Sequence, residues 1–185
     1  PLALSAPERG QTSESATERQ GARDVGVRLG RLPHARREGN MIVRRLGGGS
    51  RVLSGVEASE RYLKQADLSR YALIHFAAHA VVDESRPERS AILLAPGSTT
   101  EDGLLQVREL VGLGLRRRVV VLSTCRSASG TLIGGEGLVS LAHGFFQAGA
   151  RTVLGTLWPL RDDEAERLLD AFYRRLAQGL SVGEA

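Results

Sequence analysis

The run RVVVLS (118–123) is β-branched and apolar almost throughout, and it is too short to be a core helix. YALIHF (71–76) and RTVLGTLW (151–158) are runs of the same kind. Between the last two lies LVSLAHGFFQAG, in which Leu138, Leu141, Ala142, Phe145 and Ala148 recur at helical spacing before Gly149. Beyond Trp158, DDEAERLLDAFYRRLAQG places Leu168, Leu169, Phe172 and Leu176 on one helical stripe. Asp162 and Asp163 stand at the positive end of that helix and Arg174 and Arg175 near its negative end. Strands that are apolar on both faces need cover on both faces. Alternating with helices, they predict a parallel sheet sandwiched between helical layers.

The rest of the chain is less regular. PLALSAP (1–7) reads as a first strand, and the polar stretch 8–24 as a flexible insert. LPHARREGNMIVRRL (32–46) predicts a helix that starts at Pro33 and carries Ile42, Val43 and Leu46 on its apolar face. Gly39 and Asn40 weaken it. RVLSG is a short strand, 57–66 a second helix, AILLA (91–95) another strand of the apolar kind, and QVREL (106–110) a short helix.

With 185 residues, 42% of them hydrophobic, one domain can bury a core without covalent staples. The chain opens on Pro1 and stops at SVGEA within a helical pattern, so it reads as part of a longer protein. A single cysteine excludes an internal disulfide and points to a reducing compartment, the cytoplasm. No run approaches the roughly 18 apolar residues of a membrane span. The net charge of +4 is almost all arginine, Lys64 being the one lysine. The arginine pairs are not interleaved with aromatics, so they read as solvated faces rather than a nucleic-acid surface.

Chemistry collects at strand ends. His79 follows YALIHFAA and Cys125 follows VVVLST. Sites in open α/β sheets lie beyond the carboxyl ends of the strands. If these two strands are neighbours, about 4.8 Å apart, a thiol and a base emerge side by side. The residues alone leave an alternative open, because a free cysteine is commonly a small buried hydrophobe. His75, inside a strand, reads as a satisfied core histidine, His143 as a surface or packing residue and His34 as solvent-exposed. These scattered spacings make no metal site. GGEG (134–137) has neither a Walker nor a dinucleotide spacing and reads as a tight turn into a helix, with Glu136 near the cleft or capping that helix. Trp158 is either core packing or a pocket wall.

HFAAHA, SAILLA, VVVLSTCRSASG, GGEGLVSLAHGFFQAGARTVLGTLWPL and DDEAERLLDAFYRRLAQGLSVGEA, in that order, resemble the CHAT domain. This is the caspase-like domain often attached to tetratricopeptide repeats and akin to separase and caspases. The resemblance covers about 71–185, and Leu32, Pro33, Ala35 and Glu38 extend it to the family's LPxAxxE helix. It implies that 1–185 form a caspase-like three-layer α/β/α sandwich with a mostly parallel central sheet. It implies a His79/Cys125 catalytic dyad, an oxyanion hole from the backbone N–H groups of Ala80 and Cys125, and no cofactor. The sequence departs from the family at Ala80, where glycine is usual, and at Arg126, where Glu or Gln is frequent.

The activity implied is that of a cysteine endopeptidase acting on a protein or peptide substrate through an acyl-enzyme. Control would come from repeat or sensor regions of the same full-length, bacterial, cytoplasmic chain. Asp162 matches the family's aspartate after LWP, and its simpler role is helix capping. If Glu136 or Asp162 lines the substrate pocket, a basic residue before the scissile bond is favoured. The rival class is a catalytically inactive caspase-like interaction or scaffold module. A nucleotide-binding sheet domain is disfavoured by the lack of a phosphate-binding signature.

Overall fold

The computed structural model describes residues 1–5, 34–83, 85–123, 135–156 and 160–185, without the side chains of 135–139 and 162. The insert expected at 8–24 lies outside them. Strands β1 (Leu2–Ser5), β2 (Arg51–Ser54), β3 (Leu73–Ala77), β7 (Val119–Ser123) and β8 (Thr152–Gly155) form one sheet in the order β2-β1-β3-β7-β8. Every pairing in it is parallel. The α-helices are α1 (Ala35–Leu46), α2 (Glu60–Gln65), α3 (Val107–Leu110), α4 (Gly135–Gln147) and α5 (Asp162–Ala177).

Side chains alternate across the sheet and separate two cores. Leu2, Leu4, Ile74, Phe76, Val120 and Leu122 enter one, with Leu141 and Phe145 of α4. The Phe76 and Phe145 rings lie 5.5 Å apart there. Ala3, Leu73 and Val121 enter the other, against Met41 and Ile42 of α1 and Leu169, Phe172 and Tyr173 of α5. The result is the mixed α/β architecture with a mostly parallel central sheet that the apolar runs require.

The helix over α1 forms in spite of Gly39. A Cβ there would stand 3.0 Å from Val52 Cγ1 and 3.8 Å from the Ala3 Cβ, so the missing side chain lets α1 lie close on the sheet. Arg45 then ties α1 to α5, its guanidinium donating to Asp170 at 2.9 to 3.1 Å.

Three local expectations change. The stretch 57–66 is not one helix, because Ser59 forms a parallel bridge with Ala95 and must be extended. A 3-10 turn (Gly55–Glu57) precedes it, and α2 starts after it with Ser59 Oγ accepting from the Tyr62 N–H at 3.2 Å. AILLA does not join the main sheet. Ala91–Leu93 is β5, the centre of a small antiparallel sheet with β4 (Ala80–Val81) and β6 (Leu104–Gln106). Antiparallel neighbours need no crossover helix, and among the described residues only a 3-10 turn (Pro87–Arg89) lies between these strands. On α5, Leu168 is 53% exposed and Tyr173 takes a core place instead.

A second feature of the fold went unseen in the sequence. Lys64 Nζ lies 2.6 Å from Glu60, 2.6 Å from Glu101 and 2.8 Å from Glu109, joining α2, α3 and the loop before β6. Three carboxylates this close could hold a metal ion; here the chain's one lysine supplies the positive charge. Burial pushes Glu60 up to about 7, against the hydrogen bonds from Lys64 and the Gly103 N–H. Burial also works against the Lys64 charge, but the carboxylates outweigh it and Lys64 is pushed up.

A carboxyl raised in the folded state contributes stability below its unfolded value near 4.5, and that contribution is lost as pH rises through about 7. Lys64 offsets this loss. Lys64→Met is therefore expected to lower the melting midpoint by roughly 5 °C at pH 7.5 and by clearly less at pH 5. Calorimetry across that range checks it; equal losses at both pH values would contradict the assignment.

Candidate active site

β3 and β7 are direct neighbours, in register from Leu73↔Val119 to Ala77↔Ser123. The two strands therefore end level. His79 stands two positions beyond Ala77 in sequence, and Cys125 two positions beyond Ser123. Cys125 and Trp158 lie outside the described residues. Glu136 and Asp162 fall in the first turns of α4 and α5, and their side chains are likewise outside the description. Both helices follow strands of the parallel sheet, so their positive N-terminal ends face the carboxyl edge where β3 and β7 finish.

His79 is buried, with 7% of its surface exposed. Its carbonyl accepts from the Leu93 N–H at 2.9 Å, which fastens the residue to β5. That bond makes His79 and Leu93 a hydrogen-bonded antiparallel pair, so the next pair, Ala80↔Ile92, is the non-hydrogen-bonded kind. The Ala80 N–H therefore points away from β5. Among the described residues the one non-glycine with positive φ is Arg117. Ala80 thus sits in backbone that an alanine adopts freely, and the departure from glycine there costs no strain.

Directly beneath the ends of β3 and β7 is a buried polar network. Glu38 of α1, 1% exposed, accepts from Ser123 Oγ at 3.1 Å. Its other oxygen lies 2.6 Å from His75 Nε2, close but out of line for a hydrogen bond. His75 Nδ1 is 2.8 Å from the Tyr173 hydroxyl of α5. Burial, helped by the Glu38 charge, pushes the Tyr173 phenol well above its ordinary value. The phenol therefore keeps its proton, and its hydroxyl can donate to Nδ1.

His75 is thus a core histidine, as its place inside a strand suggested, but only its Nδ1 is hydrogen-bonded; Nε2 faces Glu38 without a bond. Its partners were missed. One signal existed for Glu38, which shares the helical stripe of Ala35 and Ile42, a stripe otherwise without charge. Ser123 and Tyr173 carried none. His143 is exposed and bonds Gln147, whereas His34 is half-buried and its Nδ1 lies 2.5 Å from Glu166 Oε2. Beside Ser123, an apolar groove of about 480 Å³ runs between the last two strands and α5. Leu154, Leu160 and Leu168 line it, so Leu168 is exposed to a groove rather than placed in the core.

A parallel sheet between two helical layers, with a histidine just beyond one strand and a cysteine in sequence just beyond its neighbour, defines a caspase-like α/β domain. The chain belongs to the CHAT domain family, whose profile matches residues 2–185. Among curated proteins it is similar to mouse tetratricopeptide repeat protein 28, with 40% identity over 86 residues, 44% of this chain and 4% of that protein. The human protein of the same name is 32% identical over 82 residues, 44% of this chain and 3% of the relative. The chain therefore spans only a small part of these relatives' length. Among the described residues, no helix is long and apolar enough to cross a membrane.

Tyr173→Phe removes the partner of a fully buried ring nitrogen. It is expected to cost roughly 1–3 kcal/mol in urea unfolding. Wild-type stability in this variant would mean that the Tyr173–His75 contact contributes nothing.

Proposed function

We propose that this chain is a cysteine endopeptidase domain. The observation that carries the reading is the level ending of β3 and β7, with His79 and Cys125 each two positions further on. In the proposed reaction the Cys125 thiolate attacks the scissile carbonyl, and the oxyanion is held by the N–H groups of Ala80 and Cys125. The carbon–nitrogen bond then breaks, with His79 passing a proton to the leaving amine. Water attacks the resulting thioester, His79 takes its proton, and the thiolate is released with the new carboxylate. The direction of the Ala80 N–H, away from β5, supports its part in this scheme. The facing end of α4 favours a thiolate.

The substrate is a protein or peptide, with Trp158 as a wall of its pocket. Glu136 and Asp162 at the same edge favour a basic residue before the scissile bond. Family membership and the names of the relatives support repeat regions in the same full-length chain, and these would control access to the site.

The test compares the full-length protein with its Cys125→Ala and His79→Ala forms, by labelling new N-termini generated in a proteome from its own source. Cleavage is expected with the parent and to fall about 10³-fold or more in either variant. Cleavage that survives Cys125→Ala removes the reading. The scaffold alternative is favoured if the parent generates no new N-termini and Cys125 alkylates no faster than an ordinary thiol.

A further inference from the structure

We infer that Glu38, acting through Ser123 and His75, is a positioning residue that holds the ends of β3 and β7 in the arrangement the Cys125/His79 pair needs. This rests on the peptidase reading above. Burying a carboxylate is costly unless it is matched by donors or opposite charge, and an apolar residue of similar volume is often at least as stabilising. The surroundings of Glu38 would suit one: Met41 and Ile42 of the same helix are buried and apolar. Yet the carboxylate is 1% exposed, and its two oxygens are directed to two different strands. One meets Ser123, the last residue of β7, at 3.1 Å; the other meets His75 of β3 at 2.6 Å.

Those contacts sit at a telling level of the sheet. His75 pairs with Val121 and Ala77 with Ser123, so His75 and Ser123 share a face one pleat apart. His75 precedes His79 by four positions and Ser123 precedes Cys125 by two. The last residue of a strand has lost its forward ladder and is the first to fray. The Ser123 hydroxyl, held by Glu38, sets the rotation of that residue, and with it the direction in which the chain leaves β7 towards Cys125. The Tyr173 hydroxyl, at 2.8 Å from Nδ1, fixes the ring orientation of His75 from the other helix, so α1 and α5 act on one point. The Tyr173–His75 bond is thus the anchor of the clamp, and the Glu38 carboxylate is its adjustable jaw.

The readout is the alkylation rate of Cys125 by iodoacetamide at pH 6.5, where an ordinary thiol is almost wholly protonated. It is measured in the full-length protein and its variants by mass spectrometry of the tryptic peptide 119–126, which carries Cys125. Ser123→Ala is expected to keep the fold but slow alkylation and lower kcat by about 10-fold, with KM little changed, which is the pattern of lost transition-state geometry. Ser123→Thr, which keeps the hydroxyl, is expected to restore most of both. Glu38→Gln, which keeps an oxygen for Ser123 but loses the charge facing His75, is expected to fall between them. Parent-like alkylation and kcat in Ser123→Ala, or an equal loss in Ser123→Thr, overturns the inference. The two readings separate cleanly: a parent Cys125 that alkylates no faster than in the urea-unfolded chain removes the peptidase reading. A fast parent with an equally fast Ser123→Ala removes only the positioning role.

Discussion

The five-residue parallel register between β3 and β7 is the constraint on which the rest depends. Because both strands are flanked on either side, by β1 and by β8, neither can slide without breaking ladders on two edges. A shift of one residue would also turn Phe76 and Leu122 away from Phe145 and bring His75 into an apolar core. Register is therefore enforced by two chemically different faces. The face towards α4 is apolar alone, and the face towards α1 and α5 is apolar with a polar knot near the strand ends.

That knot is unusual in its arithmetic. A carboxylate, an imidazole, a phenol and a serine hydroxyl converge in a region almost closed to solvent. In low dielectric this set is directional through its Ser123–Glu38 and Tyr173–His75 bonds, and its two unpartnered atoms, Glu38 Oε1 and His75 Nε2, are expensive. It selects one arrangement of α1, α5, β3 and β7 where apolar packing would allow several. The Lys64 cluster on the other side of the molecule does similar work for the small antiparallel sheet, drawing α2, α3 and the loop before β6 together around one ammonium. That small sheet in turn fixes the backbone of His79 and Ala80 through the bond to Leu93.

Much of this architecture was readable in the chain. RVVVLS and YALIHF declare buried parallel strands because their central residues are apolar on both faces, and α4 and α5 follow from their 3.6-residue stripes. AILLA has the same composition yet belongs to another sheet. Apolarity reports burial, whereas partner choice depends on the length and course of the connections. The stripe on α5 was drawn through Leu168, which faces a groove, and past Tyr173, whose phenol reaches His75. Hydrophobic spacing cannot tell a groove from a core, nor an aromatic packed for its ring from one packed for its hydroxyl.

The candidate site divides in the same way. His79 and Cys125 were visible because each follows an apolar strand that must end at the sheet's carboxyl edge. That the two strands are adjacent, level and in register came only from the tertiary structure, because pairing order is a long-range property that no local pattern encodes. Glu38, Ser123 and Tyr173 are separated by 85 residues and 50 residues along the chain and meet at one point. By itself the sequence determined which segments are strands, which helical faces are apolar and where the reactive side chains stand along the chain. Only the fold decided which strand ends lie side by side and which buried charge holds them, because that choice is made by packing between elements and not within any of them.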